Sequence, residues 1–404
     1  MVQIKMSAEN KEIMEQKLHD IFDYLCSNQT NDNTLISGTA GEILFMVYYS
    51  RYFQNQKAIE TASNKIDQLF DIISKGDGNP TFANGICGYA WLLEHLVQNN
   101  FIEYDLDDLY QNTDEELNQW MCHFIKNKNY DYLHGSVGIA NYFLNRNTEK
   151  SNTFLKHFID LLSNISIREG ETAIKFESII YNTGNPFWVF NLGLAHGMTS
   201  LIYFFQRCLH HENFKDCPKV KKLFSGINNY YKQNVNDINI NKSFFPSWVG
   251  TNINKDSRLA WCYGDMGIGI TYLNAGYNLN DLEFTQFGTQ VLLNTLKRKE
   301  IIEENIFDGG ICHGSAGLAI IYNYAYQITT HKDFQIASDY WLEVTQNQAI
   351  HPDGICGYKS FAGEKEYKYY NQSGLLEGVA GIGLVFLSKL NPAIKGWEKT
   401  LMIS

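Results

Sequence analysis

The sequence predicts an all-α chain folded as an α/α toroid, a double ring of seven outer and seven inner helices, with a small β-containing insertion. Two observations carry this prediction. A mark of two glycines three apart, once with serine as the second member, recurs seven times: Gly38/Gly41, Gly85/Gly88, Gly135/Gly138, Gly197/Ser200, Gly264/Gly267, Gly314/Gly317 and Gly378/Gly381. Successive first glycines are 47, 50, 62, 67, 50 and 64 residues apart, and thirteen of the chain's 31 glycines fall at these marks, which argues for a repeat architecture. In most repeats the mark also divides a half-polar helical stretch from a nearly all-apolar one, as an outer helix covering an inner helix requires.

The elements follow in order. From Ser7 to Leu25, the residues Ile13, Met14, Leu18, Ile21, Phe22 and Leu25 recur at helical spacing, predicting an amphipathic helix. After the first mark, Ile43-Leu44-Phe45-Met46-Val47 is apolar all round, as a helix buried on every side should be. Leu318-Ala319-Ile320-Ile321 and Ile382-Gly383-Leu384-Val385-Phe386-Leu387 read as further inner helices. Glycines at the start of such helices suit crowded backbones and turns that need positive φ. Between 166 and 190 the pattern alternates, with Ile174, Phe176 and Ile180 on one side and Lys175 and Glu177 on the other, before Asn185-Pro186-Phe187-Trp188. This predicts a β insertion near one mouth of the ring. Phe244-Phe245-Pro246-Ser247-Trp248-Val249-Gly250 is a second irregular stretch, whose aromatics suit either peptide binding or loop packing. No linker interrupts the repeats, so a single domain over residues 1–404 is expected.

A composition of 44% hydrophobic, 14% aromatic and 19% charged residues is too apolar for disorder. A net charge of −11 argues against a nucleic-acid partner, because phosphate binding needs concentrated Lys and Arg. The stretch from Met1 to Asn10 lacks a signal-peptide core, and no apolar run reaches the roughly 18 residues of a membrane helix, so a cytoplasmic protein is expected. Its eight cysteines are then expected to be reduced, where a spatial cluster points to metal or catalysis before disulfides. Glycine strings also cradle phosphate, but the preceding strand and following Lys-Ser or Lys-Thr are missing here.

Aligning the marks exposes the chemistry. The residue before the first glycine is polar every time: Ser37, Asn84, His134, His196, Tyr263, His313 and Glu377. The residue before that is apolar in five repeats and cysteine in two consecutive ones, Cys262 and Cys312. Equivalent positions in a repeat protein fall at equivalent heights. Seven polar side chains therefore converge at one end, and two thiols from adjacent repeats meet beside His313. Two thiolates and an imidazole suit zinc, and three protein ligands leave a fourth position open, as in catalytic sites. The alternative is a pair of core thiols and a satisfied histidine; the other six cysteines read as small buried hydrophobes. Zinc with two thiolates is formally neutral, so an incoming thiolate would be stabilised while staying nucleophilic. Such a site activates a substrate thiol better than it makes hydroxide.

Trp261-Cys262-Tyr263-Gly264, Cys312-His313-Gly314, Gly193-Leu194-Ala195-His196-Gly197 and Leu376-Glu377-Gly378-Val379-Ala380-Gly381 closely resemble motifs of the lanthionine synthetase C-like family, its free-standing lantibiotic cyclases above all. The resemblance runs from the first mark to the last. It implies a zinc enzyme that closes thioether rings in ribosomally made peptides, a peptide cysteine adding to dehydroalanine or dehydrobutyrine to give lanthionine or methyllanthionine. It implies Cys262, Cys312 and His313 as zinc ligands, His196 as an acid/base residue, and Asp131, Arg258 and Tyr263 as further catalytic positions. The implied substrate is a dehydrated precursor peptide of leader and core. The implied partners are a lantibiotic dehydratase and an ABC exporter, in an assembly at the inner membrane face.

The addition needs a base for the thiol, charge stabilisation for the enolate, and an acid for its α-carbon. His196 titrates near working pH and suits proton transfer. Arg258 either holds the enolate oxygen or orients Asp131 by a bidentate contact, or the two form a buried salt bridge. Tyr263 either transfers a proton or only packs. His134 and Glu377 share the register and read as rim polarity. Serine at the fourth mark suggests a slightly different seat for the helix after His196. Glutathione addition within the same family and a non-catalytic peptide-binding scaffold are the competing readings; a composition rich in Lys, Asn and Ile suits a bacterial cyclase. A toroidal glycosidase or terpenoid cyclase would want paired carboxylates or an aspartate-rich segment, which do not accompany these motifs.

Overall fold

The glycine mark is a turn whose crowding excludes side chains. Gly41 and Gly88 donate their N–H groups to the Gly38 and Gly85 carbonyls, each at 3.0 Å, and an inner helix starts there. A Cβ on Gly85 would lie 1.6 Å from the Asn79 carbonyl oxygen, while the Gly85 backbone is extended at φ −164°. Close approach, not positive φ, selects glycine at this position. Gly264 differs: it alone among the first glycines has positive φ, at +84°. At the fourth mark Ser200 keeps the same turn, its N–H on the Gly197 carbonyl at 3.1 Å and its hydroxyl satisfied by that carbonyl at 2.7 Å. The turn at the fourth mark is therefore the same as at the first two despite the serine.

The computed structural model describes residues 8–75, 78–180, 187–250, 254–362 and 368–404. Ser7, Asn185 and Pro186, named above, lie outside them. In chain order the helices are α1 (Ala8–Ser27), α2 (Thr39–Phe53), α3 (Gln56–Lys75), α4 (Ile86–Gln98), α5 (Asp107–Lys126), α6 (Ser136–Arg146) and α7 (Glu149–Ile165). There follow α8 (Met198–His210), α9 (Pro218–Gln233), α10 (Asp265–Leu279), α11 (Leu282–Thr295), α12 (Ser315–Thr329), α13 (Lys332–Asn347) and α14 (Val379–Leu390). Every even-numbered helix begins at a mark. Each packs on the next, and α14 packs on α2, which closes an inner ring. The alternation of outer and inner helices makes the chain an α/α toroid.

The two kinds of helix differ in what they bury. In α2 every residue from Thr39 to Ser50 is buried, whereas α3 buries only Ala58, Ala62, Ile66, Leu69 and Ile73, a single stripe. In α1 the stripe is Met14, Leu18, Ile21, Phe22 and Leu25; Ile13, expected with them, is exposed because it falls on the outer edge of that stripe. No helix among the described residues is long and apolar enough to cross a membrane.

The inner ring is locked at one end by backbone. Ile36 N–H donates to Ala83 O (3.4 Å), Ala83 to Leu133 (2.9 Å), Tyr132 to Ala195 (3.3 Å), Ala195 to Cys262 (3.2 Å), Cys262 to Cys312 (3.4 Å), Cys312 to Leu376 (3.1 Å), and Leu376 back to Ile36 (3.0 Å). The residues two before each first glycine, with Tyr132 donating in place of Leu133 at the third mark, thus form one closed circuit, which sets the polar residues one step later around a common mouth. The C-terminal segment, a 3-10 turn at Trp397–Leu401 and the residues after it, fills the middle of the ring. Trp261 Nε1 donates to Leu401 O (2.7 Å), Tyr132 Oη to Thr400 O (2.8 Å), Asn274 Nδ2 to Ile403 O (2.8 Å) and Tyr203 Oη to Ser404 O (2.8 Å).

Short strands accompany the helices: β1 (Ile167–Glu169), β2 (Ala173–Lys175), β3 (Ser178–Ile180), β4 (Phe187–Asn191), β5 (Trp248–Val249), β6 (Ser360–Ala362) and β7 (Lys368–Tyr370). All pair antiparallel, as β1-β2, β3-β4-β5 and β6-β7. Ile174 and Phe176 are buried as the alternation predicts. The stretch read as irregular around Trp248 supplies β5, because Asn191 and Phe190 offer it an edge to pair with.

Candidate metal centre and catalytic mouth

One further regularity positions the site. Six residues before each first glycine stand Asp32, Asn79, Asn129, Asn191, Asp308 and Gln372, and each accepts the N–H two residues on, at 2.8, 2.9, 3.2, 2.8, 2.9 and 3.3 Å. This is the side-chain turn that Asp and Asn favour. The fifth repeat breaks it: the equivalent residue is Arg258. That repeat also carries the positive-φ Gly264 and Cys262. Repeat structure would have spent the position on a cap, so an arginine there is the mark of a different task.

At the fifth and sixth marks the circuit brings Cys262 beside Cys312, and their thiols hydrogen bond. That bond lowers the pKa of Cys262, against its burial and with help from the positive charge of Arg258, His313 and His196. The same bond, with burial, pushes Cys312 well up. Two adjacent cysteines suit a metal, which binds them as thiolates. His313 Nε2 faces the Phe361 carbonyl at 3.3 Å and Asp308 Oδ2 at 3.7 Å. Asp308 is buried and itself fixed by the Gly310 and Phe361 N–H groups at 2.9 and 2.8 Å. With Nε2 turned to these acceptors, Nδ1 is the nitrogen left for a metal. Ligand atoms of Cys312, His313 and Glu377 lie within 4.8 Å of one another, and Tyr370 Oη donates to Glu377 Oε2 at 2.5 Å.

This donor set fits zinc. It combines soft sulfur with an imidazole whose far nitrogen is held, the arrangement of structural and catalytic zinc sites. Of the three residues expected as ligands, Cys312 and His313 fall in the compact group, whereas Cys262 lies outside it, beside Cys312. Glu377, read from the sequence as rim polarity, belongs to the group as well; its shared register was the available signal.

On the neighbouring arc, His196 Nδ1 meets Asp131 Oδ2 at 2.6 Å, and Asp131 Oδ1 accepts the His134 N–H at 2.8 Å. Burial opposes charge on His196, but Asp131 and Cys262 outweigh it and raise its pKa. Burial likewise opposes charge on Asp131, and His196 and His134 outweigh it, so its pKa falls. The His134 ring lies parallel to that of His196, centroids 6.0 Å apart. Tyr263 stands 5.8 Å from His196 and is kept neutral by burial, which the Asn191 amide beside it only partly offsets. The missing side chain at Gly193 makes room, since a Cβ there would lie 2.7 Å from the Tyr263 ring.

Asp131, His196, Tyr263, Asn191, Tyr130 and Trp248 border one cavity of about 720 Å³. Of the alternatives open for Arg258, the pairing with Asp131 is not formed among the described residues. Asp131 is taken by His196, while Arg258 is exposed and bears on the two cysteines instead.

Residues 29–402 match the family described as lanthionine synthetase C-like protein. The chain is 25% identical over 414 residues to "Nisin biosynthesis protein NisC" of Lactococcus lactis subsp. lactis, covering 92% of this chain and 88% of that protein. A solved structure of a nisin cyclase superposes with a TM-score of 0.75 at 19% identity and covers 98% of each chain, which shows a shared fold. With a match that takes in every mark and every residue of the mouth, the chain belongs to the lanthionine synthetase C-like family.

Proposed function

We propose that the chain is a zinc-dependent lantibiotic cyclase, in which a cysteine of a dehydrated precursor peptide adds to a dehydroalanine or dehydrobutyrine of the same peptide. What supports this reading is the position of Cys262 between two halves of one mouth. Cys312, His313 and Glu377 lie on one side, and the cavity with the His196–Asp131 pair on the other. Thiol activation and proton delivery are thereby adjacent, as addition across a dehydroamino acid requires.

Cys262, Cys312 and His313 would hold the zinc, and Asp308 would keep His313 turned to it. When bound, zinc supplies the acidity that makes a peptide thiol a thiolate at neutral pH. Asp131 accepts a hydrogen bond from Nδ1–H of His196, leaving Nε2 to move protons in the cavity. With its pKa raised by Asp131 and Cys262, His196 holds a proton more firmly than a free imidazole and suits protonation of the enolate α-carbon. Tyr263, neutral and beside His196, offers its hydroxyl to the developing oxyanion. Arg258 adds positive charge on the cysteine side. A cavity of about 720 Å³ has room for a peptide segment rather than a single residue. The dehydratase that supplies the substrate and the exporter that removes the product are the partners this reading implies, with the chain held at the inner membrane face through them.

Cyclisation leaves the peptide's mass unchanged, so the test counts the thiols that remain alkylatable after incubation with a dehydrated precursor. Wild type should consume them and His196→Ala should be slowed by about 10²–10⁴-fold. Equal rates in the two would remove His196 from the mechanism; no consumption by wild type would remove the cyclase.

A further inference from the structure

We propose that Asn191 is a catalytic residue whose side-chain N–H donates to the carbonyl oxygen of the dehydroamino acid as that oxygen becomes an enolate. The inference rests on the cyclase reading. As the peptide sulfur bonds to the β-carbon, the alkene π pair moves to the α-carbon and out onto the carbonyl oxygen. Protonation of the α-carbon, with the proton the thiol released, restores the carbonyl and needs no further reactant.

Asn191 ends β4 and is fully buried. Its Oδ1 accepts the Gly193 N–H at 2.8 Å, which fixes which end of the amide is oxygen. Nδ2 is thereby left as a donor, and it has no hydrogen-bond partner. Tyr263 lies beside it, and the Asn191 amide partly offsets the effect of burial on the phenol. Both residues border the cavity that His196 enters. Buried donors without partners are rare and call for a reason.

The repeats supply a control within the molecule. The turn needs only the side-chain oxygen, for Asp32 and Asp308 make it with carboxylates at 2.8 and 2.9 Å. At Asn129 the amide nitrogen is used structurally, on the His134 carbonyl at 3.1 Å. Only beside His196 and Tyr263 does the turn carry an amide whose nitrogen is buried, unpaired and on the cavity wall. A fixed donor aimed where negative charge develops stabilises a transition state without having to reorganise.

The test compares Asn191→Asp, which keeps the turn oxygen and removes the donor, with the uncharged Asn191→Ala and with Asn79→Asp at the same register in the second repeat. Thermal melting and kcat and KM for thiol consumption on a dehydrated peptide are measured for each. Both Asn191 variants should lose about 10²–10³-fold in kcat with KM within about threefold, while Asn191→Asp melts as wild type and Asn79→Asp is fully active. An Asn191→Ala rate within about threefold of wild type would overturn the donor role and assign any loss in Asn191→Asp to its charge. Loss in KM alone would make Asn191 a binding residue and overturn it too. If Asn191→Asp fails to fold, Asn191→Ala and its kcat decide alone. Wild type that consumes no thiol would overturn the cyclase reading itself, whereas active wild type with active variants overturns only this inference.

Discussion

Asp131 Oδ2 and His196 Nδ1 lie 2.6 Å apart although 65 residues separate them in the chain. The contact follows from the backbone circuit, in which Tyr132 N–H meets the Ala195 carbonyl at 3.3 Å and so sets the third and fourth marks side by side.

Replacing Asp131 with Asn should lower the pKa of His196. Burial pulls the imidazole toward neutrality, and Asp131 is the largest of the groups opposing it. NMR titration of the metal-free proteins checks this, and an unmoved His196 would contradict it. The raised histidine adds stability that is full below its unfolded value, about 6.5, and lost as pH rises through the folded one; the lowered Asp131 adds stability above about 3.9. The melting difference between wild type and Asp131→Asn should therefore be largest near about pH 5.5 and shrink in alkali.

Asp308→Asn should weaken metal binding by about 10–100-fold, the usual cost of losing the partner that orients a ligating histidine. Asp308 Oδ2 stands 3.7 Å from His313 Nε2 and also holds the Phe361 N–H at 2.8 Å. Competition for zinc against a coloured chelator reads the effect; unchanged affinity would show that Phe361 O alone orients the ring.

Gly85→Ala should cost about 1–3 kcal/mol or more, because the new Cβ meets backbone that has nowhere to go. It would fall 1.6 Å from the Asn79 carbonyl oxygen, whereas at exposed Gly78 the nearest atom is 3.5 Å away. Gly78→Ala should stay within about 0.5 kcal/mol in the same denaturation series. Equal stabilities would contradict the crowding account of the marks.

Trp397→Ala should cost about 3–5 kcal/mol by emptying the middle of the ring. The indole is fully buried and its Nε1 donates to Ser388 Oγ at 2.8 Å. A melting temperature near wild type would show that the C-terminal segment lies on the ring without holding it.

The toroid was legible because two periods coincide in the chain, the glycine marks and the change from half-polar to all-apolar helices. The meeting of Cys262 with Cys312 and His313 was legible for the same reason, since register substitutes for three-dimensional proximity in a repeat. Other features left weaker traces. The side-chain turn at Asp32, Asn79, Asn129, Asn191, Asp308 and Gln372 is written in the sequence, and its interruption by Arg258 was readable, but only once the turn's hydrogen bond is known. Glu377 looked like rim polarity because its approach to His313 depends on how the sixth and seventh marks pack. The filling of the ring by Trp397 to Ser404 follows from no local pattern, since its partners Tyr132, Tyr203, Trp261 and Asn274 are scattered over the chain. Strands as short as Trp248–Val249 are set by the edge they pair with, not by their own residues.

The most direct measurement is zinc per chain by elemental analysis, in wild type and in Cys312→Ala, together with the consumption of thiols in a dehydrated precursor peptide. The account predicts about one zinc in the wild type, with both metal and thiol consumption lost in the variant while its helical content is retained. A folded wild type that binds no zinc, or a Cys312→Ala protein that keeps zinc and still consumes thiols, would contradict it.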